Sequence, residues 1–167
     1  MSHSARSADY LRAGRQDRLL KELQHDPYHS KHKIKEPAAC RDCGAVFHKG
    51  RWIWDTPAQD ARQERCPACQ RVHDKVPAGF LSLSGEFYTA HKDEILNLIA
   101  NLEQKQRAQH PLKRIMHIEE QADKTVVTFT DAHLTHSAAE AVQHAYNGDL
   151  DARYSDEEIL VRATWSR

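Results

Sequence analysis

The sequence predicts an α+β fold in which a small cysteine-bearing module precedes a layered domain of strands and helices. All four cysteines of the 167-residue chain lie between residues 40 and 69, in two C-x-x-C pairs. The C-terminal half alternates period-2 segments with segments of helical period, which are typical of strands and amphipathic helices. The N-terminal residues are mostly small, polar or charged. We therefore divide the chain into a basic tail at 1–36, a cysteine module at 37–78 and an α+β domain at 79–167.

The two C-x-x-C pairs, Cys40–Cys43 and Cys66–Cys69, have the spacing of a structural zinc site. Each pair places two thiolates on one side of a tight turn, and two such turns complete a tetrahedron around Zn²⁺. Four thiolates close the coordination sphere, so no position is left for a catalytic water and the metal is expected to hold the fold. Flanking arginines are placed to offset the thiolate charge: Arg41, Arg65 and Arg71.

A redox pair and a pair of disulfides are the alternatives to zinc. A redox C-x-x-C lies where a strand opens into a helix, but Pro57, Pro67 and the charged run at 60–65 give no such context. Disulfides suit a secreted protein, yet residues 1–14 contain no apolar core of signal-peptide length. We therefore prefer zinc as the cofactor.

Charge is unevenly distributed along the chain, although the net charge is zero. Residues 1–75 carry 15 Lys and Arg against 10 Asp and Glu, whereas residues 120–167 carry 4 against 9. Four thiolates around one divalent ion add two negative charges to the basic end and leave it only modestly basic. We expect a polyanion partner to bind at that end, and the acidic end to face solvent or protein.

Composition argues against a membrane partner. The chain has no run of about 18 apolar residues that could span a bilayer. Charged residues make up 29% of the sequence, and the mean hydropathy is −0.78. We expect a soluble, cytoplasmic protein.

The tail contains one short amphipathic segment, residues 15–23, which is too short to form a stable helix alone. From His25 to Pro37 the tail is basic and nearly without apolar residues, so we expect it to be partly disordered. Two interpretations stay open: a segment that orders on a partner and a solvated linker. If the partner is RNA, the expected contacts are Lys31, His32, Lys33, Lys35, Arg51, Trp52 and Arg71.

Residues 51–54 lie between the cysteine pairs and are predicted to form a strand of a zinc ribbon. Trp52 and Trp54 share one face of that strand, because side chains alternate with period 2. Such a pair most often packs against a neighbouring domain. The alternative is that at least one ring is exposed, to stack on a base or to dock a partner.

The C-terminal domain begins with a predicted strand at 80–84, which Gly85 ends. A helix follows, with acidic residues in its first turn at 93–94 and its limit at Pro111. Residues 114–119 and 124–130 then form a predicted β-hairpin around a polar turn.

Asp131 is placed to cap a second helix, whose apolar stripe ends at Asn147-Gly148. A last strand is predicted at 159–165. The resulting order, β-α-β-β-α-β, is that of a ferredoxin-like sandwich with an antiparallel sheet under two helices. If residues 80–84 belong to the ribbon instead, the domain becomes α-β-β-α-β.

The predicted core of this domain follows from the apolar faces of these elements. It comprises Leu83, Ile95, Leu98, Ile99, Leu102, Met116, Ile118, Val127, Phe129, Leu134, Ala138, Val142, Val161 and Trp165. The hairpin lacks the aromatic-rich motif of an RNA-recognition domain, since Phe129 is its one ring available for stacking.

The sequence contains few residue patterns that are typical of an enzyme active site. The chain has no Gly-rich phosphate loop and no nucleophile in a recognisable setting, so we predict no enzyme and no small-molecule substrate. Asp131-x-His133-x-x-His136 has the spacing of a second metal site, but a helix cap followed by solvated histidines is the preferred interpretation.

Several motifs together resemble a known family. They are Asp26-Pro27-Tyr28, Glu36-Pro37, the two C-x-x-C pairs, residues 50–54, residues 66–71, Gly79, residues 94–97, residues 110–112 and residues 130–134. In these motifs the chain resembles small bacterial four-cysteine zinc-ribbon proteins. That family is similar to the zinc-binding N-terminal part of the archaeal and eukaryotic export adaptor of the large ribosomal subunit.

The resemblance implies binding to the ribosome, with rRNA of the large subunit as the favoured partner. We expect no role in export, because the adaptor's further cysteine pairs and later domains are not found in these 167 residues. The first hypothesis is thus a non-enzymatic rRNA-binding factor in large-subunit maturation or ribosome hibernation. The alternative is a zinc-stapled protein-interaction adaptor without RNA contact.

Overall fold

The computed structural model describes residue 28, residues 33–155 and residues 160–167. The expectations for the rest of the tail lie outside these residues, including the short helix and the RNA contacts Lys31 and His32. The described residues form an α+β structure with three helices and two mixed sheets.

The cysteine module contains the smaller sheet. Its strands are β1 (Ala38–Cys40), β2 (Val46–His48), β3 (Arg51–Ile53) and β4 (Arg62–Glu64), in the order β3-β2-β1-β4. β2 pairs antiparallel with β1 and β3, whereas β4 is parallel to β1. Helix α1 (Pro67–Asp74) follows β4 and begins with proline at its first position, where a missing N–H costs nothing. Each strand has only three residues, so the strands alone cannot stabilise this module.

The larger sheet has five strands in the order β6-β7-β5-β9-β8. They are β5 (Gly79–Ser84), β6 (Ile115–Glu120), β7 (Lys124–Phe129), β8 (Asp149–Tyr154) and β9 (Val161–Ser166). β5 pairs antiparallel with β7 and parallel with β9. Its alternating burial shows that one face of the sheet is covered and the other is not.

Helices α2 (Glu86–Gln109) and α3 (Ala132–Tyr146) cover that face. α2 begins at Glu86, before the first turn predicted at 93–94, and its backbone is non-helical at His91, where the helix is kinked. Asp131 caps α3 as predicted, because its Oδ1 accepts a hydrogen bond from the backbone N–H of Leu134 at 2.7 Å. Asn147 ends the helix with φ +56°, and its carbonyl accepts a hydrogen bond from Trp165 Nε1 at 2.7 Å. This bond ties the end of α3 to β9.

The ferredoxin-like order is not confirmed. Strand β8 was not predicted, and it forms a hairpin with β9 that reverses the chain. As a result β9 lies beside β5 in parallel, whereas a ferredoxin-like sheet is antiparallel. The α-β-β-α-β alternative is not found either, because β5 belongs to the larger sheet. β8 is an edge strand, and its outward-facing residues are charged: Asp149, Asp151 and Arg153. Its inward-facing residues are only weakly apolar, so the sequence shows no clear strand pattern here.

Most of the predicted core residues are buried, with Leu98 and Leu102 partly buried at its border. The prediction that Ile118 lies in the core is wrong, since 38% of its surface is exposed. The pairing of β6 with β7 shifts between Ile115 and His117, and β6 is an edge strand. The shift sets Ile115 opposite the buried Phe129, so Ile115 packs against the core in place of the predicted Met116. Ile118 lies opposite Val127, on the core-facing side, and its exposure follows from its place on the edge strand. Phe129 is fully buried, so its ring has no free face for a base.

The two tryptophans of the ribbon have different environments. Trp52 is 8% exposed and packs in the ribbon, with its ring centroid 5.4 Å from that of Phe47. Trp54 is 39% exposed, and its Nε1 donates a hydrogen bond to the carbonyl of Arg107 in α2 at 2.6 Å. Leu112 also packs against the ribbon cluster. The ribbon and the C-terminal domain thus meet at the end of α2 and the segment after it.

Gly79 is required where β5 passes α3. A Cβ at this position would lie 1.8 Å from Oγ1 of Thr135, far inside van der Waals contact. We expect Gly79→Ala to lower the free energy of unfolding by about 1–3 kcal/mol or more through overpacking. Urea denaturation followed by circular dichroism measures this. Ser82→Ala, on the other face of the same strand, should change stability by less than about 0.5 kcal/mol. Equal midpoints for the two variants would contradict the prediction.

Candidate metal centre

The four cysteine sulfurs form a compact cluster that can hold a metal ion. All four Sγ atoms lie within 4.8 Å of one another, and the cysteines are free thiols. The Sγ atoms of Cys43 and Cys66 are 3.8 Å apart. A tetrahedron of Zn–S bonds of about 2.3 Å has S–S edges of about 3.8 Å, so these side chains fit a four-thiolate site.

Local backbone structure positions each sulfur. Cys40 ends β1, and the turn after it passes through Gly44, which has φ +79°. Cys66 caps α1, and Cys69 lies in its first turn. This pair therefore lies where strand β4 leads into a helix, contrary to the sequence-based expectation that neither pair has that context. Two backbone N–H groups donate to sulfur, that of Cys66 to Cys40 Sγ at 3.3 Å and that of Cys69 to Cys66 Sγ at 3.4 Å. These donors and the positive end of α1 favour the thiolate form.

The cation at this centre comes from the C-terminal domain. Arg114 is 8% exposed, and its guanidinium donates to Cys43 Sγ at 3.1 Å, Cys69 Sγ at 3.2 Å and Cys66 Sγ at 3.5 Å. Its Nε donates to the carbonyl of Pro111 at 2.7 Å, which fixes the plane of the group. One planar cation therefore contacts three of the four sulfurs.

The arginines predicted for this role have other partners. Arg65 Nε donates to Asp42 Oδ2 at 2.6 Å, and Arg41 is exposed. Arg71 is buried, with its guanidinium 4.4 Å from the centroid of the Tyr28 ring and a hydrogen bond of 3.1 Å to the carbonyl of Val76. No local pattern could have identified Arg114, because it lies 45 residues beyond Cys69 at the start of a strand.

The centre favours thiolate at one sulfur in particular. The pKa of Cys69 is lowered to about 5, mainly by the hydrogen bond from Cys66 and also by the hydrogen bond and charge of Arg114, which together outweigh the effect of burial. The hydrogen bond between Cys66 and Cys69, together with burial, raises the pKa of Cys66. Burial also raises the pKa of Cys43. Burial opposes the charged form of Arg114, but the hydrogen bond to Cys69 and the negative charge there raise its pKa overall. Arg114 is therefore a permanent cation here.

A second metal site is not formed by the histidines of α3. Within the described ranges, the four cysteines are the one group of Cys, His, Asp and Glu side chains close enough to hold a metal. His136 contacts Tyr154 OH through Nδ1 at 2.8 Å and Glu140 Oε1 through Nε2 at 3.0 Å. Asp131 is occupied as a helix cap. The cap at Asp131 is as predicted, whereas His136 is half-buried and paired rather than solvated.

A cavity of about 700 Å³ lies between the ribbon and the C-terminal domain. It is lined by Lys33, Ile34, Glu36, Phe47, Gly50, Arg51, Trp52, Pro67, His110, Pro111, Leu112, Lys113 and Asp131. Three of the predicted RNA contacts, Lys33, Arg51 and Trp52, therefore come together in its wall. Lys35 is exposed outside the cavity, and Arg71 is buried under Tyr28. The contributions of His110 and Lys113, which follow α2, were not predicted.

Comparison of the chain with family models, with curated proteins and with solved structures finds no match. Among the residues that the structure describes, none of the helices has the length and apolar character needed to cross a membrane.

Proposed function

We propose that the protein is a non-enzymatic zinc protein that binds the ribosome through rRNA, with the large subunit favoured. The observation that carries the proposal is the convergence of Lys33, Arg51 and Trp52 on one cavity wall. Lys33 lies 18 residues before the adjacent pair Arg51 and Trp52, yet the fold brings to one cavity wall both cations and the 8% of the Trp52 surface that is exposed. Cations that bind phosphates beside rings that bind bases are the typical pairing in RNA-binding proteins.

Zinc is the metal that we assign to the cysteine cluster. Tetrahedral four-thiolate sites select zinc or iron–sulfur chemistry, and two C-x-x-C pairs on a small ribbon are typical of structural zinc. When bound, the ion would supply a fixed cross-link between the two pairs. Four thiolates leave no open position for substrate, which supports a structural role.

The charges of the cavity wall favour an anionic partner. Among the described residues, the side chains of Lys33 and Arg51 make no hydrogen bond or ion pair. The two acidic groups of the wall are engaged internally: Glu36 accepts from the backbone N–H of Gly50 at 3.2 Å, and Asp131 accepts from Leu134. The cations are therefore free to contact phosphate oxygens.

The resemblance to ribosome-associated zinc-ribbon proteins supports the choice of the large subunit as the partner. Large-subunit maturation and ribosome hibernation are the two processes in which we place it. A sucrose-gradient profile of tagged protein from growing and starved cells separates them, because a hibernation factor accumulates on ribosomes in starvation and a maturation factor on precursor particles during growth.

The RNA-binding proposal is tested by the salt dependence of binding. Lys33→Ala together with Lys35→Ala should lower the slope of log affinity against log salt by about 1.5, since each phosphate contact releases about 0.7–0.9 counterion. The measurement is a titration of ribosomes or structured rRNA at several salt concentrations. The matched control, Lys105→Ala with Lys124→Ala, removes two exposed lysines that do not line the cavity and should leave the slope unchanged.

The protein-adaptor alternative predicts the opposite pattern. Under this alternative, the association with the partner protein does not depend on salt or on Lys33 and Lys35. Loss of that association in Trp54→Ala, which removes the exposed ring, would instead support an apolar protein contact of about 2 kcal/mol or more. Such a result would end the RNA proposal.

A further inference from the structure

We propose that the cavity between the ribbon and the C-terminal domain binds one unstacked nucleotide of single-stranded RNA. The base would lie among the apolar and aromatic walls, and the phosphates would lie at the basic residues. This inference rests on the proposed function and specifies its ligand.

The walls suit a planar, largely apolar group. The ribbon contributes Phe47 and Trp52, and the segment after α2 contributes His110, Pro111 and Leu112. At about 700 Å³ the cavity is within the range of small-ligand sites, which are mostly apolar with a few polar groups that fix orientation. Stacking on aromatic rings tolerates any base, because every base has a π-face.

The basic residues of the cavity come from three separate places in the chain. Lys33 precedes β1, Arg51 begins β3, and Lys113 follows α2. Lys113 Nζ has a neutral partner, Gln106 Oε1 at 3.3 Å, so its charge is not neutralised. The same wall contains the carboxylates of Glu36 and Asp131, each of which accepts a backbone hydrogen bond. The three cations outnumber these two acids, and a net positive wall beside apolar groups matches a nucleotide, which joins an anionic phosphate to a flat base.

The concave shape favours single strands over duplex. A paired base is held in its stack and cannot enter a cavity, whereas bases of loops and bulges can be splayed out. Shallow basic surfaces lack this discrimination, because phosphate contacts are alike in both forms. Preference for single-stranded RNA thus distinguishes the cavity from general basic attraction.

The first test is a fluorescence-anisotropy titration of the full chain with a labelled six-nucleotide RNA and with a hairpin duplex. The variants are Lys113→Met and His110→Ala, neither of which is among the residues of the salt-slope test. Each should weaken binding of the single strand on the order of fivefold to a hundredfold, and weaken the duplex much less. Lys105→Met, an exposed lysine of α2 outside the cavity, is the matched control and should bind as the wild type does. Retained metal content in each variant shows that the ribbon is intact.

The second test is photo-crosslinking of the same RNA carrying 4-thiouridine. Crosslinks should map to the peptides around Phe47–Trp52 and His110–Lys113. If RNA binds with the predicted salt slope but crosslinks elsewhere and ignores Lys113→Met, the cavity inference is overturned and the proposed function stands. If neither RNA nor ribosomes bind, both the proposed function and the cavity inference are wrong. Equal competition by a poly-glutamate peptide would also overturn the inference, because it would show a site for acidic protein rather than for a nucleotide.

Discussion

Replacing Cys66 with serine is expected to release the metal and unfold the ribbon. The reason is the small size of the ribbon cluster, half of which consists of the ligands themselves. Its buried members are Cys40, Ala45, Trp52, Cys66, Ala68 and Cys69. So little apolar surface cannot offset the entropy of ordering the module, whereas binding of structural zinc contributes about 10–16 kcal/mol in zinc-finger peptides. Folding and metal binding of the ribbon should therefore be one event.

Metal analysis and tryptophan fluorescence measure this result. The variant should contain no zinc, and the emission of Trp52 should shift to the red as its buried ring becomes hydrated. Arg41→Ala changes an exposed residue inside the first C-x-x-C turn and should keep both the metal and the spectrum of the wild type. Helical circular dichroism should persist, because α2 and α3 pack on a separate core. Wild-type protein purified without zinc but with native fluorescence would contradict the prediction.

The parts of this site that sequence could predict are local. Cys40 and Cys43 lie within one turn, as do Cys66 and Cys69, so their spacing alone indicates the chemistry. The cap at Asp131 is equally local, since its acceptor and the N–H it binds are three residues apart. Features of this kind depend on short-range geometry and survive any arrangement of the rest of the chain.

The parts that sequence could not predict depend on long-range pairing. The irregular pairing of β6 puts Ile115 rather than Met116 on the core, and a bulge has no apolar signature. Ile118 is exposed because β6 is an edge strand, a position that the sequence pattern does not reveal. β8 is an edge strand with charged outward residues, so its period is hidden, and it decides the direction of β9. Arg114 reaches the sulfurs only because the segment after α2 packs on the ribbon. Each of these follows from which elements become neighbours.

Replacing Arg114 with methionine is expected to weaken both the metal centre and the attachment of the ribbon to the C-terminal domain. Methionine keeps much of the apolar stem but removes three hydrogen bonds to sulfur. The thiolate cluster then keeps its negative charge in a buried site without the cation that offsets it. Removal of one partner from a buried charged pair costs about 3–5 kcal/mol. Loss of such a supporting contact typically weakens metal binding by about 10- to 100-fold.

Competition with a chromophoric chelator measures the metal affinity, and urea denaturation measures the free energy of unfolding. Arg114→Lys should recover only part of both, because an ammonium group cannot contact three sulfurs with the fixed fork of a guanidinium. Arg65→Met is the matched control: its ion pair with Asp42 is at the surface and should contribute less than about 1 kcal/mol. An Arg114→Met variant with the chelator resistance of the wild type would refute this account of the centre.

Acidification gives an independent readout of the same contact. The pKa of Cys69 is lowered from 9.0 to about 5, first by the hydrogen bond from Cys66 and further by Arg114. A lowered pKa stabilises the folded state fully above the unfolded value, and this contribution is lost as the pH falls through the folded value. Without the guanidinium the folded pKa of Cys69 must rise, so protons compete with the metal at a higher pH. Zinc release followed during a pH titration should therefore begin at higher pH in Arg114→Met than in the wild type, with Arg65→Met unchanged.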